Sequence, residues 1–310
     1  MQRENKPFLV ILFLFNIFFM SAQQMDSLRM DSTKLDSLNS SNWKLKSLYS
    51  LNGAQSSFIN WNAGGRNNIA LNASVRASAY FNKEMWNWSN DLSLAFGGIK
   101  YLDESEVFMY QKTDDKIDLS SKVGMRISKK FLLSLNAGFK TQFADGFTYP
   151  NDSIPVSKFM APGYMNLAFG TDYVKDANFS IFGSPFAAKT TFVMDDSLSQ
   201  IGSFGVEQGE RIRHEFGAFI KLKWNAELMK NIEMKSKLEL FSNYLNNPQN
   251  IDVNAELVFV FRVNSLFSAT AQWNLIYDDD IQIRDIDGNV GPRTQFKSVL
   301  GIGISYKLEN

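Results

Sequence analysis

From about residue 45 to its last strand the sequence repeats in twos rather than in 3.6s, and that period restricts the chain to sheet structure. In "KFLLSLNAGFKTQF", Phe131, Leu133, Leu135, Ala137, Phe139, Thr141 and Phe143 share one face, against Ser134, Asn136, Gly138, Lys140 and Gln142. "RIRHEFGAFIKLKWN" sets Ile212, His214, Phe216, Ala218, Ile220, Leu222 and Trp224 against Arg211, Arg213, Glu215, Lys221 and Lys223. The final "FKSVLGIGISYKLEN" puts Phe296, Leu300, Ile302, Ile304, Tyr306 and Leu308 opposite Lys297, Gly301, Gly303 and Lys307. The same period recurs over 69–81, 86–98, 117–127, 165–173, 232–244, 251–263 and 267–277, with a first strand around 45–60 and a blurred one over 179–192. About twelve strands are expected.

The connections alternate in length. "NKE", "SKK", "KDA", "MKN" and "NS" are tight turns, and segments such as "ADGFTYPNDSIPVSKFMAPGY" and "DDDIQIRDIDGNVGP" are long. All short turns then fall on one rim of an up-and-down antiparallel meander, as in outer-membrane barrels. Alternation alone does not say which face meets water. Size does, because about eight strands already enclose an interior that side chains fill, and twelve make it wider. An apolar face spanning ~9–11 residues matches a tilted membrane strand, whereas Lys, Arg, Glu, Asp and Asn opposite it suit a wet or ion-paired lumen. The expectation is an all-β transmembrane barrel of about twelve strands, closed so that lipid meets no unpaired backbone group. Trp86, Trp88, Phe131, Trp224 and Tyr306 fall near the short-turn ends, and Phe143, Tyr244 and Tyr277 near the long-loop ends, as aromatic girdles would. The last strand resembles the C-terminal signature read by barrel-insertion machinery, with Tyr306 two positions earlier than the usual final aromatic.

The N-terminus sets the compartment. Arg3 and Lys6 precede the apolar run "FLVILFLFNIFFM" and the small-residue site "SAQQ", which reads as a signal peptide over 1–22 ending at Ala22. The run is shorter than the ~20 residues of a spanning helix. Residues 23–44 repeat Asp-Ser every five residues and read as a flexible periplasmic tail before a barrel over 45–310. The Asp-Ser-Leu and Asp-Ser-Thr triplets also resemble the O-glycosylation sequon of Bacteroidota. Absence of cysteine excludes disulfides and thiolate metal sites. With 32 basic and 32 acidic residues the chain has no charge bias toward nucleic acid.

"SLYSLNGAQSSFINWNAGGRNNIALNASVRASAYF", then "WNWSNDLSLAFGGIKY", carries an Asn60-Trp61 and Gly64-Gly65 element after the first strand. This stretch resembles an uncharacterised outer-membrane barrel family of Bacteroidota, a domain of unknown function. The resemblance implies a fold and a location and no activity. Gly64 and Gly65 suit a tight first loop, with Trp61 as an interfacial anchor.

Little catalytic chemistry is legible. His214 is the single histidine; a membrane-embedded hydrolase of phospholipase or protease type would have to use it, and no serine or asparagine stands at a defensible spacing. Asp285, Asp287 and Asn289 around Gly288 look like half a calcium loop without its downstream glutamate. "GIG" at 301–303 lacks the helix of a dinucleotide fingerprint. No cofactor is expected. The polar face carries Arg76, Asp91, Lys122, Arg126, Arg211, Arg213, Glu215, Lys221, Lys235, Glu239, Glu256 and Arg262. They form either a closed network of pairs or the eyelet of a narrow pore. The functional expectation is a non-enzymatic narrow channel or an envelope scaffold in the outer membrane of a Gram-negative bacterium. Its expected partners are lipid, the insertion machinery, and a small solute or another envelope protein. The alternatives are the His214 hydrolase and a closed barrel subunit of an envelope complex.

Overall fold

The computed structural model describes residues 42–57, 66–102, 111–151, 153–284 and 289–309. The expected leader 1–22, the tail as far as residue 41, the Asn60, Trp61, Gly64 and Gly65 element, and Asp285 and Asp287 lie outside the described residues. Twelve antiparallel strands close into a barrel: β1 (Trp43–Ser56), β2 (Asn68–Lys83), β3 (Trp86–Tyr101), β4 (Gln111–Arg126), β5 (Phe131–Thr141), β6 (Gly163–Val174), β7 (Phe179–Phe192), β8 (Ile212–Met229), β9 (Ile232–Asn243), β10 (Asp252–Arg262), β11 (Phe267–Tyr277) and β14 (Gln295–Glu309). Each strand pairs with its sequence neighbour, and β1 closes on β14. Between β11 and β14 a small hairpin, β12 (Gln282–Arg284) with β13 (Val290–Pro292), decorates the long-loop end, and the β7–β8 connection carries the one-turn helix α1 (Asp196–Gln200).

The apolar face is the outside. Leu300 and Ile302 in β14 are 73% and 70% exposed, and Leu71, Leu135, Phe169, Phe216 and Ile220 are exposed on other strands. A continuous apolar exterior of this kind is untenable in water and is the lipid-facing band of a transmembrane barrel. Trp86, Trp88, Phe131, Trp224 and Tyr306 are exposed at the short-turn rim and Tyr244 at the opposite one.

The small residues on the inner face of β14 have a geometric cause. A Cβ at Gly303 would stand 2.0 Å from the Leu51 carbonyl oxygen. Glycine there lets β1 approach closely enough to continue the ladder, with Gly303 facing Asn52 and Tyr306 facing Tyr49.

Sequence reading starts the fourth strand at residue 117, but β4 begins at Gln111. The Asp115 carboxylate accepts the Phe143 and Ala144 amides at 2.7 and 2.9 Å, and Lys112 donates to it at 3.0 Å, so polar residues above the apolar band are held in the sheet. A bulge at Gly97/Gly98 absorbs the change of register.

Lysine in place of Ile302, at the centre of the outer face of β14, should destabilise the barrel by about 2–4 kcal/mol, whereas lysine at Leu308, near the rim, should cost about 0–1 kcal/mol. Urea titration of the barrel refolded into lipid vesicles checks this; equal effects at the two positions would mean that this face does not meet lipid.

Candidate functional site

The candidate site is the lumen, because strand alternation sends one polar set of side chains inward from every wall. At mid-height these side chains meet across the bore. Lys116 Nζ donates to Glu256 Oε2 at 2.9 Å, and since β4 and β10 lie six strands apart in the closed order, this bond spans opposite walls. Arg76 Nη2 donates to Glu256 Oε1 at 3.3 Å and to Gln272 Oε1 at 3.1 Å. Lys237 bridges Asp118 and Glu239, both at 3.2 Å. Glu239 also pairs with Lys140 and lies 3.4 Å from Lys221 Nζ, which donates to Ser120 at 2.8 Å. The side chains of Lys221 and Glu239 are only 5% and 10% exposed. Charges this enclosed persist only when paired and hydrogen-bonded.

The layer toward the long loops is acidic. Lys189 Nζ sits 2.5 Å from Asp252, 2.9 Å from Asp278 and 3.4 Å from Glu215. Arg213 donates to the Gly205 carbonyl at 3.0 Å and to Glu215 at 3.1 Å, and pairs with Asp280, tying the β7–β8 connection over the mouth. Asp252, Asp278 and Asp279 place carboxylate oxygens within 4.8 Å of one another, a spacing that suits a cation. The Lys189 ammonium already supplies that charge, and a metal ion would have to displace it.

Toward the short turns the bore is wetter. Lys122 pairs with Asp172, Lys223 with Asp91, and Arg262 with Glu233 at 2.6 Å, the Arg262 side chain being 35% exposed. Asp91 also accepts from Ser78 at 2.8 Å and Tyr80 at 3.2 Å. Lys235 is on the inner face of β9 in this layer.

Of the charges singled out from sequence, the structure brings Arg76, Asp91, Lys122, Arg213, Glu215, Lys221, Lys235, Glu239, Glu256 and Arg262 to the bore. Arg126 is exposed at the short-turn rim. Arg211 departs from its expected place: its side chain is 53% exposed and pairs with Asp196 of α1, because β8 starts one residue later and alternation does not govern the loop. Asn289 is exposed beside β13.

Sequence reading missed part of the lumen. Lys116, Asp118 and Lys237 share the inward parity of the charges it named on β4 and β9, and Lys189 lies on β7, where it named none, whereas Lys140 is on the polar face expected for it. Phe182, Phe219, Phe241, Ala168 and Ala187 form an inward apolar cluster on the β6–β9 wall. Their sequence signal was an apolar residue on the polar parity of three successive strands.

A cavity of about 30 Å³ remains along the β1, β2, β10, β11 and β14 walls, where Asn52, Asn72, Ser74 and Gln272 meet the apolar Leu48, Val258, Val260 and Val299, with Arg76 and Asp114 also on its surface. It has room for roughly one or two waters. Asp114 accepts from Lys297 at 2.7 Å and from Asn72 at 3.2 Å on its long-loop side.

His214 points outward, and its Nδ1 lies 3.0 Å from Thr190 Oγ1, its cross-strand neighbour. Among the described residues no carboxylate or amide is hydrogen-bonded to the imidazole as the third member of a triad.

Residues 54–147 match the sequence model of a family described as "Protein of unknown function (DUF3078)". No curated protein matches the sequence. Among solved structures, the chain is similar to the translocator domain of the autotransporter NalP from Neisseria meningitidis, with 10% identity, 93% of this chain and 95% of that one covered, and a TM-score of 0.32. It is similar to the NanC porin, with 7% identity, coverage of 83% and 98%, and a TM-score of 0.34. It is also similar to an outer membrane channel from Pseudomonas putida F1, with 11% identity, coverage of 86% and 96%, and a TM-score of 0.37.

Two outcomes are expected here. Replacing Glu239 by Gln strands Lys140, Lys221 and Lys237 around a neutral group and should cost about 3–5 kcal/mol, measurable as a lower denaturation midpoint. At the outer rim, Asp195 accepts Lys158 at 2.6 Å, Ser197, and the Leu198 amide at 3.1 Å as the N-cap of α1. The hydrogen bonds from Lys158 and Ser197 hold its carboxyl down at about 2, against about 3.9 for an unperturbed aspartate. Its contribution is therefore complete above about pH 4 and lost as the pH falls through about 2. Amide exchange at Leu198 and Ser199 should accelerate in that window, and Asp195→Ala should remove the pH dependence.

Proposed function

We propose that this protein is an outer-membrane channel for water-sized and small hydrophilic solutes, held shut at rest by ion pairs across its own lumen. The observation that carries the reading is the small cavity beside the central charge layer. Hydroxyl and amide side chains share its lining with Leu48, Val258, Val260 and Val299, with Arg76 bound to Glu256 toward the short turns and Asp114 bound to Lys297 toward the long loops. In this reading the passage past the charges would run along this mixed lining, and parting the two ion pairs would lengthen it. The apolar exterior, together with the leader-like N-terminus, supports a place in the outer membrane of a Gram-negative cell. The insertion machinery and lipid would be its first partners, and the short-turn rim would face the periplasm.

A second reading, a hydrolase acting at the lipid face, has one observation in its favour, the Thr190–His214 contact. A third group to orient the imidazole is missing among the described residues. Purified barrel should therefore release no fatty acid from phospholipid vesicles, and release that disappears in His214→Asn would establish the hydrolase instead.

Single-channel recording in planar bilayers tests the channel. The wild-type barrel should show rare, small conductance steps. Glu256→Gln, which frees Arg76 and Lys116, should raise the open probability at least several-fold. A barrel that inserts stably and stays silent in both forms would be a closed structural subunit of an envelope assembly.

A further inference from the structure

The short-turn half of the lumen holds one cation that the ion-pair network leaves over. Lys235 lies on the inner face of β9, opposite Val258 of β10 and Asn225 of β8. The carboxylates beside it on β9 and β10 are already engaged: Glu233 with Arg262 at 2.6 Å, and Glu256 with Lys116 at 2.9 Å and Arg76 at 3.3 Å. Lys235 itself makes no hydrogen bond or ion pair among the described residues. Glu233 precedes it by two residues on the same face and holds Arg262 at 2.6 Å, while Val258, opposite it, stands opposite Gln272, which holds Arg76 at 3.1 Å. An ammonium set between two guanidinium groups is stabilised by a mobile anion that shares the space.

The geometry points to an anion-binding site in the short-turn vestibule, centred on Lys235 and flanked by Arg76 and Arg262, that takes a small oxyanion such as phosphate or the phosphate group of a small ester. The donor set suits oxygens arranged around a centre. Arg76 and Arg262 each use Nη2 for a carboxylate, and the other N–H groups of their planar guanidinium forks can meet paired oxygens. Lys235 adds up to three donors on a flexible stem. The vestibule is reached by solvent, as the part-exposed Arg262, Glu233 and Lys223 show, whereas the layer above it is closed. A solute binding here would stand immediately below the Arg76–Glu256 pair and would compete with Glu256 for Arg76. The site therefore links an anionic solute to opening of the passage proposed above. Binding itself does not depend on that reading, and it is measured without transport.

The test is calorimetric titration of inorganic phosphate into the detergent-solubilised full-length barrel, with chloride at matched ionic strength as the reference. Saturable binding of phosphate is expected, weakened at least tenfold in Lys235→Met, kept in Lys235→Arg, and unchanged in Lys129→Met at an exposed short turn. In the unmodified protein, phosphate should also protect Lys235 from amine acylation, read by peptide mass spectrometry, which keeps the test independent of how the variants fold. Acetate in place of phosphate distinguishes a carboxylate site from a phosphate site. Heat effects that depend only on ionic strength, or acylation of Lys235 indifferent to phosphate, would overturn the assignment. A barrel that binds phosphate and conducts nothing would leave the site standing and remove the channel.

Discussion

Lipid offers no hydrogen bonds, so every backbone N–H and C=O within the apolar band must find its partner inside the protein. That requirement makes the β1–β14 seam the contact on which the other strands depend: if those two edges do not meet, each exposes a row of unpaired groups to hydrocarbon. The seam is built from pairs such as Tyr49 with Tyr306 and Leu51 with Ile304. It closes tightly because Gly303 has no Cβ to strike the Leu51 carbonyl. Outside, the same two strands present Leu51, Leu300, Ile302 and Tyr306 to the bilayer.

Closure then forces the lumen problem. Twelve walls leave an interior too wide for aliphatic side chains to fill, and here long charged side chains reach across it. Lysine and arginine suit this because their stems are flexible and their heads can meet carboxylates on a far wall, as Lys116 does with Glu256 and Lys237 with Asp118. The network spans the bore from wall to wall. An apolar cluster around Phe182, Phe219 and Phe241 thickens one side, and the remaining space lies along the β1, β2, β10, β11 and β14 walls. Charge is also graded along the axis. Acidic groups gather around Lys189 and Arg213 under the long loops, and Lys235 stands beside the Glu233–Arg262 pair at the opposite end.

Much of the site was legible because parity is a strict rule inside a strand. Glu239 and Lys235 lie four residues apart, and Arg213 and Glu215 two, so each pair shares a face whatever the rest of the fold does. The rule fails at strand ends. Arg211 has the inward parity of β8 but precedes its first residue, and it turns away to pair with Asp196. The rule is also silent where polar residues continue a strand above the membrane. There the 111–116 segment reads as loop, although Asp115 holds it in the sheet through two backbone amides.

The sequence by itself determined the strand count, the up-and-down order, the rim that carries the short turns, and which residues face lipid. Each follows from a local period and from the spacing of turns, and such signals survive without knowledge of any distant contact. What only the tertiary structure decided was who meets whom across the lumen. Pairing between β4 and β10, or β9 and β4, joins residues more than a hundred positions apart, and it depends on the stagger of twelve strands around a closed ring. No local pattern encodes that stagger, because it is set by the register of every pair in the circuit together.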